Sequence, residues 1–216
     1  MASDRPDFVP ALGISWLTPL YDPVMKVLGE DVFNDRLVKR LGDEPVDRIL
    51  DLGCGTATGT LKVKQSYPSA QVVGVEIDPE VLARARSKSE KNGLEVELVE
   101  SSATELPFEA ESFDAVISNL VFHHLDAVQK GEALQEVRRV LRPGGRLLLA
   151  DFSDPHGPVM RGTFFVVQIF DGFDRTAPHV RGELGAMIED AGFEEVQVLE
   201  RRRSLLGSQS LFLARR

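Results

Sequence analysis

Residues 46 to 59 read Val-Asp-Arg-Ile-Leu-Asp-Leu-Gly-Cys-Gly-Thr-Ala-Thr-Gly, an apolar run that ends in an acid, Asp51, and a turn carrying Gly53 and Gly55. Glycine reaches positive φ without a steric penalty and has no Cβ, so a ligand can approach the main chain between a strand end and a helix start. The chemistry open to this spacing is the holding of a small cofactor. It is not the dinucleotide fingerprint G-x-G-x-x-G, because Thr58 stands where the third glycine falls. Nor is it a phosphate-cradling P-loop, since no Gly-Lys-Ser/Thr follows.

The run Asp51-Leu52-Gly53-Cys54-Gly55-Thr56 resembles motif I of the class I S-adenosylmethionine-dependent methyltransferases, and further signals follow in that family's order. Gly74-Val75-Glu76-Ile77-Asp78 resembles the end of its second strand, and Leu106-Pro107-Phe108 with Ser112-Phe113-Asp114 the approach to its fourth. Ser118-Asn119 through His123-His124-Leu125 resembles the end of the fourth strand, and Leu141-Arg142-Pro143-Gly144-Gly145 the turn before the fifth. The signals span residues 46 to 151.

The resemblance implies S-adenosyl-L-methionine as cofactor and S-adenosyl-L-homocysteine as product. Within it Glu76 binds the ribose, because a carboxylate can accept from both vicinal hydroxyls in charge-assisted bonds at the strand edge where open α/β sheets take their ligands. A solvated strand-end acid is the other reading, and Asp78 is read as a helix cap. Ile77 and Leu120 are placed against the adenine ring, with core packing as the alternative. Ser102, beside Ala103, stands where many relatives carry an adenine-binding Asp. Asp51 either holds the glycine loop or reaches the cofactor's amino group through water. Cys54 and Asn119 complete the expected contacts with Gly53 and Gly55. Ala57 replaces the third glycine common in motif I, and alanine is small enough for the turn to survive.

A sulfonium makes its methyl electrophilic, so transfer needs an in-line nucleophile about 3 Å from that carbon, with positioning supplying much of the acceleration. A general base helps when the acceptor is a hydroxyl or an acidic carbon, and histidine suits neutral pH. His124 and then His123 are the candidates; the competing reading packs one under the following helix and leaves the other solvated. Leu17-Thr18-Pro19-Leu20-Tyr21-Asp22 resembles the start of methyltransferases related to the ubiquinone and menaquinone C-methylating group, which implies Tyr21 near the cofactor or acceptor. Ser118-Asn119-Leu120-Val121-Phe122 departs from that group's strand-four pattern. Phe152, Met160, Phe164, Phe165, Phe170 and Phe173 point to an apolar pocket wall or lid, or to a helical core face. The expected acceptor is therefore small and apolar or aromatic, with oxygen, nitrogen and carbon all open as its methylated atom. A non-catalytic S-adenosylmethionine-binding or regulatory protein is the alternative. A nicotinamide oxidoreductase is opposed by the missing third glycine.

Strands alternating with helices must position these groups, which predicts right-handed βαβ units and a mainly parallel sheet. Strands are expected at 47–52, 71–76, 95–100, 113–118, 146–151, 194–201 and 209–215, and helices at 58–66, 79–91, 127–140 and 180–191. Asp78 with Pro79 opens the second helix and Asn92-Gly93 closes it. The fold this pattern and the resemblance together imply is α/β, a Rossmann-like, doubly wound, seven-stranded sheet, in which the resemblance alone implies that the last strand inserts antiparallel beside the fifth. It forms a single domain, with an N-terminal helical cap at 1–44, a cofactor-binding core at 46–151 and a substrate-side excursion or lid at 152–180.

Composition agrees with one buried core: 216 residues, 43% hydrophobic and 27% charged. A net charge of −9 argues against a nucleic acid partner. Arg201-Arg202-Arg203 reads as a solvated strand edge with alternating faces. The single Cys54 excludes an intrachain disulfide, and four scattered histidines offer no metal-ligand spacing. Apolar stretches fall short of the roughly 18 to 20 residues that span a bilayer, and the N-terminus lacks a signal-peptide pattern; a cytoplasmic location is the expectation. The apolar excursion can close a pocket or form an interface, which leaves a homodimer open.

Overall fold

Seven strands form one sheet in the order β3-β2-β1-β4-β5-β7-β6. They are β1 (Arg48–Leu52), β2 (Gln71–Glu76), β3 (Glu97–Glu100), β4 (Phe113–Asn119), β5 (Leu141–Phe152), β6 (Glu194–Ser204) and β7 (Gly207–Arg215). The computed structural model describes residues 30–42, 44–155, 157–204 and 207–216. Strand β7 runs antiparallel between β5 and β6, and the remaining neighbours from β3 to β5 are parallel. The doubly wound sheet with its antiparallel last strand beside β5 is thus as the family resemblance implies.

Side chains alternate across this sheet with a period of two, so each strand feeds two layers. Leu50, Leu52, Val116, Leu147 and Leu149 bury into one face; Ile49, Ala115, Ile117, Leu148 and Ala150 bury into the other. Helix α1 (Glu30–Leu41) covers the second face with Phe33, Leu37 and Leu41, spaced four apart on one helical stripe. Helices α2 (Thr58–Ser66), α3 (Pro79–Asn92) and α4 (Ala127–Val140) make the crossovers. Asp78 caps α3 by accepting from the amides of Glu80 and Val81, and Gly93 ends it at φ 62°. Arg202 turns inward over the Phe33 ring, 5.6 Å from its centroid, while Arg201 and Arg203 are exposed, so the arginine run alternates as expected.

The largest departures from the expected boundaries lie in β5 and in the helices after it. Strand β5 begins at Leu141 rather than 146, because Leu141 pairs with Phe113 and the C-terminus captures the Pro-Gly-Gly segment. Gly144 N–H donates to Arg216 O, and Arg216 N–H donates to Gly145 O, both at 3.0 Å. The helix expected at 180–191 is shorter, Leu184–Asp190, starting past Gly182 with φ 69°, and two helices that were not expected precede it, α5 (Pro158–Asp171) and α6 (Phe173–Val180), so that it is α7. Phe164 is buried against Phe152, with ring centroids 5.2 Å apart. Phe165 and Phe173 are exposed and pair with each other at 5.7 Å. The aromatic excursion is therefore part core and part surface. Tyr21 and the stretch from Trp16 to Pro23 lie outside the described residues. Among the described residues no helix is long and apolar enough to cross a membrane.

Candidate active site

Strand order reverses between β1 and β4, and the crevice beyond their C-terminal ends is where such sheets bind ligands. Gly53 sits there at φ 71°, so tightly placed that a Cβ would come within 2.3 Å of Val121 Cγ2. Gly55 also has positive φ, 55°. Ala57 shares the left-handed conformation at φ 63°, which for a non-glycine residue costs about 1–2 kcal/mol. The loop is held from below and from the side. Cys54 N–H donates to Val75 O at 2.8 Å, and Lys88 Nζ donates to Thr56 Oγ1 and Thr58 Oγ1 at 2.7 and 2.9 Å.

Glu76 organises this half of the site. Its Oε2 accepts from Gly55 N–H at 3.0 Å, and its Oε1 accepts from the amides of Ile77 and Asp78 at 2.8 and 3.0 Å. A carboxylate has about four acceptor positions, so capacity remains on Oε2 for a ligand hydroxyl. Burial raises the Glu76 pKa against the opposing pull of the three amides. Asp51 is buried and accepts from Thr60 Oγ1 at 2.7 Å; burial pushes its pKa up to about 6. Burial likewise raises the Cys54 thiol. Ile77 and Ala103 are half-buried, and Ser102 Oγ lies 2.8 Å from Thr104 Oγ1. Asn119 Nδ2 donates to Asn34 Oδ1 at 2.9 Å.

The second half lies at the ends of β4 and β5. Leu120 leaves β4 at φ 57°, a left-handed turn for a bulky residue, and packs against Phe152 and Phe164. A single 3-10 turn, Phe122–His124, follows. His123 is 5% exposed and its Nδ1 lies 2.9 Å from Asp151 Oδ1, while His124 is exposed and its ring stands 3.9 Å from that of His123. Asp151 also accepts from the amides of Val121, His123 and Phe152. Burial works to raise its pKa, but the charge and hydrogen bond of His123, with His179 and the Phe152 amide, outweigh it and hold the carboxyl well below its usual range. Asp151 is therefore an acceptor only, which makes His123 Nδ1 the donor. His179, wholly buried, donates from Nδ1 to Phe152 O at 2.8 Å, and burial lowers its pKa. Lys130 is buried too; its Nζ donates to the carbonyls of Leu125 and Arg175, tying the 3-10 turn to α6, and burial lowers its pKa to about 8.

The structure brings Asp51, Gly53, Cys54, Gly55, Glu76, Ile77 and Asn119 to one end of the sheet. His123, His124 and Leu120 stand at the neighbouring strand ends. Asp151, Lys130, His179, Thr60 and Asn34 were not anticipated. Asp151 carried a usable signal, because it closes a buried strand at the same edge as Glu76. The others carried none, since a lysine in an amphipathic helix reads as solvated until the packing of α6 is known. The groups present suit a nucleoside with an amino-acid tail: a carboxylate for ribose, a glycine turn for close approach, and buried amide atoms still unmatched beside Asp51.

Comparison with known proteins agrees. Residues 49–145 match the model of a family described as a methyltransferase domain. The chain is 38% identical over 172 residues to the demethylmenaquinone methyltransferase of Thermus thermophilus, covering 78% of this chain and 74% of that one. It is 33% identical over 213 residues to the ubiquinone/menaquinone biosynthesis C-methyltransferase UbiE of Syntrophotalea carbinolica, covering 88% and 86%. In fold it is similar to a SAM-dependent methyltransferase from Aquifex aeolicus, with TM-score 0.66 at 20% identity over 93% of this chain and 97% of that one.

Proposed function

The chain belongs to the class I S-adenosylmethionine-dependent methyltransferases of the ubiquinone/menaquinone C-methyltransferase-like group, and we propose that it methylates a ring carbon of a small hydroxylated aromatic acceptor of the quinol type. The observation that carries this reading is the buried His123–Asp151 pair at the ends of β4 and β5, beside the aromatic side chains of Phe152 and Phe164. The printed names of the relatives, which specify quinone precursors and carbon, support it.

An aromatic carbon is a poor nucleophile until an adjacent hydroxyl gives up its proton and pushes charge into the ring. His123 takes that proton at Nε2. Asp151 stays ionised, fixes the Nδ1–H tautomer and stabilises the imidazolium that results, a contribution worth about 10²- to 10⁴-fold in rate. Lys130 holds the turn that carries His123 against α6. The cofactor supplies an electrophilic methyl group on a sulfonium. Held by Glu76 and the glycine turn, the cofactor would supply this methyl in exchange for the ring hydrogen, which would leave as a proton to solvent.

The test uses methyl-¹³C S-adenosylmethionine and a short-chain naphthoquinol lacking the ring methyl, with the product read by NMR. The expected signal is a methyl on the aromatic carbon. A methoxy signal, or no transfer to this acceptor by cofactor-saturated protein, overturns the reading.

A further inference from the structure

Arg202 on β6 stands opposite Gln209 on β7, and Gln209 stands opposite Phe152 on β5. Residues paired across a ladder project to the same face, so the three form one row over three strands, with neighbouring Cα atoms about 5 Å apart. Gln209 is only 3% exposed, and Arg202 is half-buried with its guanidinium over the Phe33 ring. Among the described residues neither Arg202 Nη1 nor Gln209 Oε1 has a hydrogen-bond partner, although both atoms are buried. Donor and acceptor are neighbours yet do not bond each other. Buried polar groups in folded proteins are matched, so this gap calls for a ligand group that completes it.

The two atoms say which group. A guanidinium N–H only donates and an amide oxygen only accepts. One ligand atom satisfies both if it accepts and donates at once, which a hydroxyl does and a carboxylate, an ammonium or a carbonyl does not. Location says which hydroxyl. The row ends at Phe152, whose ring lies 4.8 Å from that of His123 and 5.2 Å from that of Phe164. Phe164 also reaches over the start of β7, where a Cβ on Gly207 would come within 3.1 Å of its Cδ2. Aromatic side chains thus lie between His123 and the Arg202–Gln209 pair, an arrangement that suits a flat ring with a hydroxyl on each side.

We propose that Arg202 and Gln209 bind the second hydroxyl of a dihydroxylated aromatic acceptor, the one remote from the methylated carbon, while His123 takes the proton of the first. Arg202 Nη1 donates to that hydroxyl and Gln209 Oε1 accepts from it. The inference rests on the proposed acceptor class and sharpens it, because an equally apolar ring with a single hydroxyl leaves the pair unmatched.

The experiment is anaerobic calorimetric titration of S-adenosylhomocysteine-loaded protein with the short-chain naphthoquinol and with the matching naphthol that keeps only the hydroxyl next to the methylated carbon. Wild type is expected to bind the naphthoquinol at least about tenfold more tightly, since a site built to bond a hydroxyl rejects the analogue that lacks it. Gln209→Leu and Arg202→Met are each expected to remove that preference by weakening the naphthoquinol alone, with naphthol affinity within about twofold of wild type. Equal affinities in wild type, an unchanged preference in both variants, or equal weakening of both acceptors overturns the proposal and leaves the pair a bridging water or a structural role. Should either variant fail to bind S-adenosylhomocysteine and so not fold, Gln209→Glu keeps the side-chain shape but supplies a carboxylate that closes the gap with Arg202. It is expected to lose the preference too, and a wild-type preference in that variant refutes the proposal. Wild-type protein that binds neither acceptor would overturn the quinol reading instead.

Discussion

The two halves of the site are made from different material. Around Glu76 the contacts are mostly local and mostly backbone: three amides, from Gly55, Ile77 and Asp78, converge on one carboxylate at the end of β2. Around His123 distant side chains join the three amides that Asp151 gathers from Val121, His123 and Phe152. Asp151 is 28 residues away, and Lys130 reaches a carbonyl 45 residues along the chain. A half built from local backbone can be shared by proteins with unrelated acceptors, because its geometry follows from glycines and strand ends. A half assembled from tertiary side-chain contacts can change with the acceptor.

This contrast breaks most readily at Glu76. Glu76→Ala removes the acceptor for three amides together with the ribose ligand. The affinity for S-adenosylhomocysteine should fall about 10- to 100-fold, corresponding to about 1.5–3 kcal/mol for hydrogen bonds to a charged group. The transfer rate at saturating cofactor should change far less. An equal loss in both quantities would mean that the halves are not separable.

A smaller effect sharpens the comparison. Asp51 titrates near 6 in the folded protein against an ordinary 3.8, so the folded state binds the extra proton. Its contribution to stability is present below pH 3.8 and is lost as pH rises through 6. A ligand ammonium beside Asp51 favours the ionised form. Affinity for S-adenosylhomocysteine should therefore rise between pH 5 and pH 7, by about tenfold for each unit that the ligand lowers this pKa. Calorimetry at the two pH values, with Asp51→Asn as the flat control, reads the effect; the same slope in the variant would assign it to another group.

The same contrast explains what could be read from the sequence. Asp78, Pro79 and Gly93 set the bounds of α3 by local capping chemistry, and alternation along β1 and β4 set the layers, so these were legible. Strand β5 is longer than its local pattern predicts, because its first residues join the ladder only through Phe113 and Arg216, which are remote in the chain. The sequence reading puts His124 ahead of His123 as the candidate base, although no local signal separates two adjacent residues of one type. Only the folded chain distinguishes them, burying His123 on Asp151 and exposing His124. Lys130 and Asn34 gave no warning, since neither residue type is ordinarily buried and their partners lie on other elements.

The central claim is that the His123–Asp151 pair serves transfer and not cofactor binding. The most direct measurement is Asp151→Asn, with S-adenosylhomocysteine affinity by calorimetry and the single-turnover rate of transfer to the naphthoquinol measured on the same preparation. The account predicts affinity within about twofold of wild type and a rate about 100-fold lower or less. A wild-type rate, or a loss of affinity matching the loss of rate, would contradict it.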